Sequence, residues 1–151
     1  MYRRIALLFL TVMLVVSSFA VSACATQSHA DMPVTLASMD SVPMQVQQQP
    51  HRVSQAYRFA AANAEVLQHM PCYCGCGAMG HGSNYDCYWQ VDGSFESHAT
   101  GCGICVDIAQ DVMKGLQQGR SPTEIRTQID KDYTRFGDPT NTPLPVAVAL
   151  P

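Results

Sequence analysis

The chain has 151 residues, 47% of them hydrophobic, 14% charged and 8% aromatic, with a formal net charge of -3. That length holds one ordinary domain and little more. Residues 1–23 contain Arg3 and Arg4 and no acid, so the rest carries 7 basic against 12 acidic side chains. With no Lys/Arg-rich run, a nucleic-acid-binding surface is excluded.

Met1–Arg4 is short and basic, and Ile5–Val16 is an uncharged apolar run of signal-peptide length. Small residues lead on to Cys24, and Val21-Ser22-Ala23-Cys24 resembles a bacterial lipobox. The resemblance implies that residues 1–23 are a lipoprotein signal peptide cleaved before Cys24. The Cys24 thiol would then carry a diacyl group with palmitate-type chains, and the new N-terminus a further acyl chain. At about 0.8 kcal/mol per buried methylene, several such chains hold a protein to a membrane. The expected location is the cell envelope, outside the cytoplasm.

Residues 24–50 are dominated by Gln, Ser, Pro and Met without helical or alternating periodicity, and are expected to form a flexible tether. A free chain of that length spans roughly 25–30 Å. Met32, Met39 and Met44, near His29, are too irregularly spaced to read as a soft-metal set. Residues 51–137 are the predicted folding unit, and 138–151 a Pro-rich tail expected to fray. A core of under ninety residues is marginal, so cross-links or a metal should contribute much of its stability.

Three helices are predicted in that unit. The first spans about Val53 to Gln68, with Val53, Ala56, Tyr57, Ala60, Ala64 and Leu67 on one face. It ends near His69, because Pro71 disfavours helical geometry at Met70. The second begins around Gly103, with Ile104, Ile108, Val112 and Leu116 in one row and Cys105, Ala109 and Met113 beside it. Asp107 and Asp111 fall on its solvated face, and Gly119 stops it. Ser121-Pro122-Thr123-Glu124 is a capping box with Pro at the first helical position, and it starts the third. Ile125, Ile129 and Tyr133 carry the apolar face of that helix. A short strand is expected at Tyr88–Val91, before a turn at Asp92-Gly93. The fold class is mainly α: a small helical domain with a Cys-rich loop packed on the N-terminus of a helical hairpin.

The cysteines carry the chemistry. Cys72, Cys74 and Cys76 alternate with Tyr and Gly, Cys87 follows, and Cys102 and Cys105 open the second helix. Were residues 72–76 extended, the three thiols would share a face with neighbours roughly 6–7 Å apart, and bending at Gly75 and Gly77 would bring them closer. Such sulfurs form a soft donor set, suited to Cu(I) or Zn(II) rather than Ca(II) or Mg(II). The positive end of a helix should also favour thiolate at Cys102 and Cys105. His81, between two glycines, and His98, four residues before Cys102, are the candidate imidazole ligands. His69 is expected to meet the last carbonyls of the first helix. Met70 and Met79 are read as packing, and Tyr73 and Trp89 as shields over the cluster or fillers of the core.

The run Pro71–Gly77, with His81, Asp86-Cys87, Phe95-Glu96-Ser97-His98 and Cys102-Gly-Ile-Cys105-Val-Asp107, resembles the bacterial lipoproteins named for their PCYCGC motif. The resemblance continues to Tyr133 and implies an envelope location and cysteine-centred chemistry, with no demonstrated activity. Separately, the two cysteines, helix and Gly-x-Ser-x-x-Glu-Ile pattern are similar to the helical hairpin of cytochrome c maturation thiol reductases.

The reading placed first is a lipoprotein that binds a soft metal, Cu(I) ahead of Zn(II), through Cys72, Cys74, Cys76, Cys87, Cys102, Cys105, His81 and His98, for sequestration or transfer to a metal-handling partner protein. Six cysteines outside the cytoplasm also fit three disulfides in an interaction domain without metal. A thiol–disulfide reductase using Cys102 and Cys105 is the third possibility. Neither a Ser/His/Asp set nor a carboxylate pair has spacing that requires catalysis, so no enzyme activity is expected.

Overall fold

A computed structural model of the chain describes residues 34–145; the apolar leader, Cys24 and the first part of the expected tether lie outside the described residues. The described chain is mainly helical, in the order α1 (Met44–Gln47), α2 (His51–Ala62), α3 (Ala64–Leu67), α4 (His98–Gly101), α5 (Gly103–Gln117) and α6 (Pro122–Tyr133). Among these residues no helix is long and apolar enough to cross a membrane.

Helix α5 is central, packing on α2 and on α6. Both predicted rows are largely buried: Ile108, Val112 and Leu116 in one, Cys105, Ala109 and Met113 in the other. Close approach between α5 and α6 depends on Gly115, where an added Cβ would lie 2.7 Å from Ile125 Cγ1. The capping box at Ser121 is present, with Glu124 N–H donating to Ser121 Oγ and the Glu124 carboxylate accepting from Ser121 N–H. Arg52 of α2 pairs with Asp107. Asp111, on the solvated face as expected, accepts from Tyr133 Oη at 2.7 Å and so ties α5 to the end of α6.

Three local expectations are corrected. The first helix breaks at Asn63 (φ -136°, ψ 40°), so α2 and α3 replace the single span to Gln68. The Asn63 side-chain amide donates to the carbonyls of Phe59 and Thr35, and this competition with the backbone interrupts the helix. In place of the strand at Tyr88–Val91 stands one isolated antiparallel bridge, Trp89 to Phe95, around the Asp92-Gly93 turn. Val91 is 89% exposed, so no apolar face drives pairing further.

The third correction concerns the flanks. Val42 and Val46, inside the segment read as tether, are buried in the core. Ala37 exchanges two hydrogen bonds with Arg58 of α2, backbone N–H to Arg58 carbonyl and Arg58 Nε to Ala37 carbonyl. Spaced four apart, the two valines make an apolar pair that the surrounding Gln and Pro concealed. Val46→Ala should therefore destabilise the protein by about 1–2 kcal/mol, read as a lowered denaturation midpoint; no change would return this segment to tether. The tail likewise does not fray over its described part. Thr140 is buried, and Thr142 Oγ1 donates to the Gly82 carbonyl at 2.6 Å.

Candidate metal centre

The cysteine loop is held at its base before it turns. Cys72 N–H donates to Thr140 Oγ1 and the Cys72 carbonyl accepts from Thr140 N–H, both at 2.9 Å. Tyr73 is turned away from the sulfurs: its hydroxyl donates to Asp130 at 2.6 Å and its ring stacks on Tyr133. Gly75 (φ 83°) and Gly80 (φ 92°) bracket a single 3-10 turn, Cys76–Met79. This left-handed geometry, costly for any residue with a Cβ, folds the loop back so that its thiols converge. A second 3-10 turn, Tyr85–Cys87, brings in Cys87. Asp86 fixes the approach by accepting from the Gly82 and Ser83 N–H groups at 2.7 and 3.1 Å. On the other side, Cys102 caps α5 and Cys105 lies in its first turn. The Cys105 carbonyl accepts from Tyr88 Oη at 2.7 Å and from Asn84 Nδ2 at 3.3 Å, which locks the helix start onto the loop.

Two donor sets result. Cys74, His98, Cys102 and Cys105 offer ligand atoms all within 4.8 Å of one another, and so do Cys72, Cys76 and Cys87. Neighbouring sulfurs lie at 3.3 Å (Cys72–Cys74), 3.5 Å (Cys72–Cys105), 3.6 Å (Cys74–Cys105) and 3.7 Å (Cys76–Cys87). The six cysteines among the described residues are all free thiols. A tetrahedral site with metal–sulfur bonds of about 2.3 Å separates its sulfurs by about 3.8 Å, whereas a disulfide needs about 2.05 Å. The spacing is that of sulfurs sharing a metal. The first set, with Cys74, His98 and Cys102 only half-buried, is the outer one. The second is the inner one, with Cys72, Cys76 and Cys87 each 2% exposed or less.

The imidazoles divide between the sets. His98 Nε2 lies 3.3 Å from Cys74 Sγ in the outer set. His81, buried, places Nδ1 at 3.6 Å from Cys87 Sγ beside the inner set. The two rings meet edge to face at 5.4 Å. Glu96 joins them: one carboxylate oxygen accepts from His98 N–H at 2.9 Å, and the other lies 3.9 Å from His81 Nε2 while accepting from Gln90 Nε2. Glu96 thus anchors the His98 backbone and sets a negative charge near the far nitrogen of the His81 ring. Sequence pattern assigned Glu96 no role at the site beyond its place in the run Phe95-Glu96-Ser97-His98.

Protons are unevenly shared among the sulfurs. Hydrogen bonding from Cys105 holds the Cys72 thiol far below the ordinary range, and the Cys87 thiol, then His98 against the cost of burial, bring Cys74 down to about 5. Cys102 is lowered to about 7 by Cys105. The donating partners move the other way: Cys87 by bonding to Cys105 and Cys72, Cys76 by bonding to Cys72, and Cys105 by bonding to Cys102 are all raised. The helix terminus therefore favours thiolate at Cys102 but not at Cys105, contrary to expectation, because Cys105 supplies the hydrogen bond. Burial alone would lower His98, but hydrogen bonding and charge from Cys74 raise it.

The remaining candidates lie elsewhere. Trp89 belongs to an aromatic group with Tyr57 and Phe95 and donates to the Tyr57 carbonyl, so it fills the core. Met70 is buried, and Met79 is exposed. His69 Nδ1 meets the Pro143 carbonyl at 3.3 Å instead of a helix end. Cys24 lies outside the described residues. Thr140 was missed because nothing in a Pro-rich tail marks a residue that pairs with a loop 68 positions away. Thr140→Val removes its side-chain acceptor from the buried Cys72 N–H and should cost about 1–3 kcal/mol; unchanged thermal stability would show that the tail does not brace the loop.

A family model described as a protein of unknown function with a PCYCGC motif matches residues 10–145. No curated protein and no solved structure matches. With the match running from the apolar N-terminal run through the cysteine loop and both hairpin helices, the chain belongs to the family of PCYCGC-motif proteins of unknown function.

Proposed function

We propose that the protein binds a soft metal ion, Cu(I) ahead of Zn(II), through its cysteine cluster, and stores the ion or passes it to a metal-handling partner protein. The observation that carries this reading is the gathering of six free thiols into two sets at metal-sharing distances. Thiolate selects Cu(I) and Zn(II) over the hard divalent ions. The preference between them is drawn from the inner set, whose three buried sulfurs all lie within 4.8 Å of one another. Three sulfurs suit Cu(I), while a structural Zn(II) site takes four donors. The outer set, with three sulfurs and an imidazole, is compatible with either. Cys74 and Cys102, deprotonated most readily among the accessible thiols, are the sulfurs that would meet an incoming ion first. Anaerobic titration with Cu(I) and with Zn(II) against a competing chelator tests the reading: tight uptake lost on substituting the cysteines supports it, and no uptake by the reduced protein refutes it.

The same reading places the protein outside the cytoplasm, held by lipid at Cys24. Its support is the basic start, the apolar run and the small residues before Cys24. Cys24→Ser should release the chain from the membrane fraction or leave it unprocessed, without changing metal uptake. Processing before residue 24 with continued membrane retention would remove the anchor.

A second reading, thiol–disulfide exchange at Cys102 and Cys105, draws on the lowered Cys102 thiol with Cys105 within 4.8 Å. Turnover of a small disulfide substrate would favour it; stoichiometric reaction without turnover would remove it.

A further inference from the structure

The two donor sets differ in access and touch at one edge. In the inner set Cys72, Cys76 and Cys87 are buried, and buried His81 lies beside Cys87. In the outer set Cys74, His98 and Cys102 are half-buried, and only Cys105 is fully enclosed. Cys72 belongs to the inner set yet lies 3.3 Å from Cys74 and 3.5 Å from Cys105. The inner sulfurs thus adjoin the accessible ones through Cys72.

From this we infer that the sets work in series. The outer set receives the ion, and Cys72 draws it across to the inner set. The inference rests on the metal-binding reading and deepens it. Transfer is ligand exchange with no change of oxidation state. A Cu(I) ion held by Cys74, Cys102 and His98 gains a bond to Cys72 Sγ as its bonds to Cys102 and His98 break. Bonds to Cys76 and Cys87 then replace the remaining outer bonds. The incoming sulfurs give up whatever protons they carry as they bind, and the departing Cys74 and Cys102 thiolates and His98 imidazole can take them, so protons balance and neither oxidant nor reductant is required. Sulfurs already closer than van der Waals separation allow each new bond to form before an old one is lost. Such overlap keeps the ion from being released to solvent.

The test uses the reduced, lipid-free full chain and Cu(I) supplied as its bathocuproine disulfonate complex. One equivalent is added, and unprotected thiols are alkylated after increasing delays and mapped by peptide mass spectrometry. At the shortest delay Cys74 and Cys102 should be protected and Cys76 and Cys87 modified on partial unfolding; at long delay the pattern should invert. In stopped-flow uptake, wild type should show a fast and a slow phase. Cys87→Ser should retain only the fast phase, and a His98→Ala/Cys102→Ser double variant should load its remaining equivalent at least tenfold more slowly. Protection of Cys76 and Cys87 from the first time point, or an outer-set variant that loads as fast as wild type, overturns the series order while leaving metal binding in place. Failure of wild type to withdraw copper from the complex overturns the metal-binding reading itself. The alkylation experiment needs no variant, so misfolding of a substituted chain does not leave the order undecided.

Discussion

Withdrawing the metal from the loaded, reduced protein should lower its melting temperature by on the order of 15–25 °C. The size follows from linkage: a ligand at a thousand times its Kd stabilises the state that binds it by about 4 kcal/mol. Each kcal/mol moves the midpoint of a domain of this size by about 4–6 °C. The effect should be large because the cluster joins segments otherwise held by a few hydrogen bonds. The 72–76 loop, the Cys87 turn and the start of α5 all end on sulfur. Serine at Cys72 or Cys105, where the sets touch, should produce most of the loss in a single step, whereas serine at Cys24 should produce none. Calorimetry with and without a chelator reads this directly. A midpoint that resists chelator but collapses with reductant would instead describe disulfides.

Affinity for metal should climb steeply with pH, by on the order of 10³ per unit near neutrality for filling the whole cluster. The sign follows from the protons that the metal-free cluster holds. Cys76, Cys87 and Cys105 are raised and so favour the thiol form, whereas Cys72 and Cys74 are lowered and favour thiolate. Metal-bound sulfur is thiolate, so loading releases about three protons, and acid opposes each release. Cys102, lowered to about 7, adds part of a fourth below that pH. Competition titrations from pH 6 to 8, with proton release followed by a weakly buffered indicator, measure the slope. A flat profile would mean that the buried thiols are not ligands.

Both hairpin helices could be read from the sequence because local and tertiary signals agree there. The rows ending in Leu116 and Met113 are buried as spaced, and Ser121 with Glu124 forms the capping box that its spacing announces. Where a polar side chain competes with the backbone, pattern alone misleads: Asn63 interrupts an apolar face that continues on both sides. Long-range pairing was hidden for a different reason. Val42, Val46 and Thr140 gain their partners only once distant segments have packed, and a Gln- or Pro-rich setting gives no sign of it. At the site, residue type and spacing singled out the six cysteines and His98 that fall into the two donor sets, and His81 beside the inner one. Their division into an accessible and a buried set was not legible, since it depends on the backbone reversal at Gly75 and Gly80 and on how α5 meets the loop. Glu96 illustrates the remaining gap: a carboxylate beside one histidine in sequence is placed by folding between two.

The central claim is that the six domain cysteines are thiolates around a metal. Native mass spectrometry of protein purified without oxygen from its own compartment tests it most directly, because one mass reports both bound metal and lost hydrogen. The predicted result is the fully reduced chain plus copper, or zinc, returning to the reduced mass on acidification. A mass short by the hydrogens of three disulfides, with no metal taken up even after reduction, would contradict it.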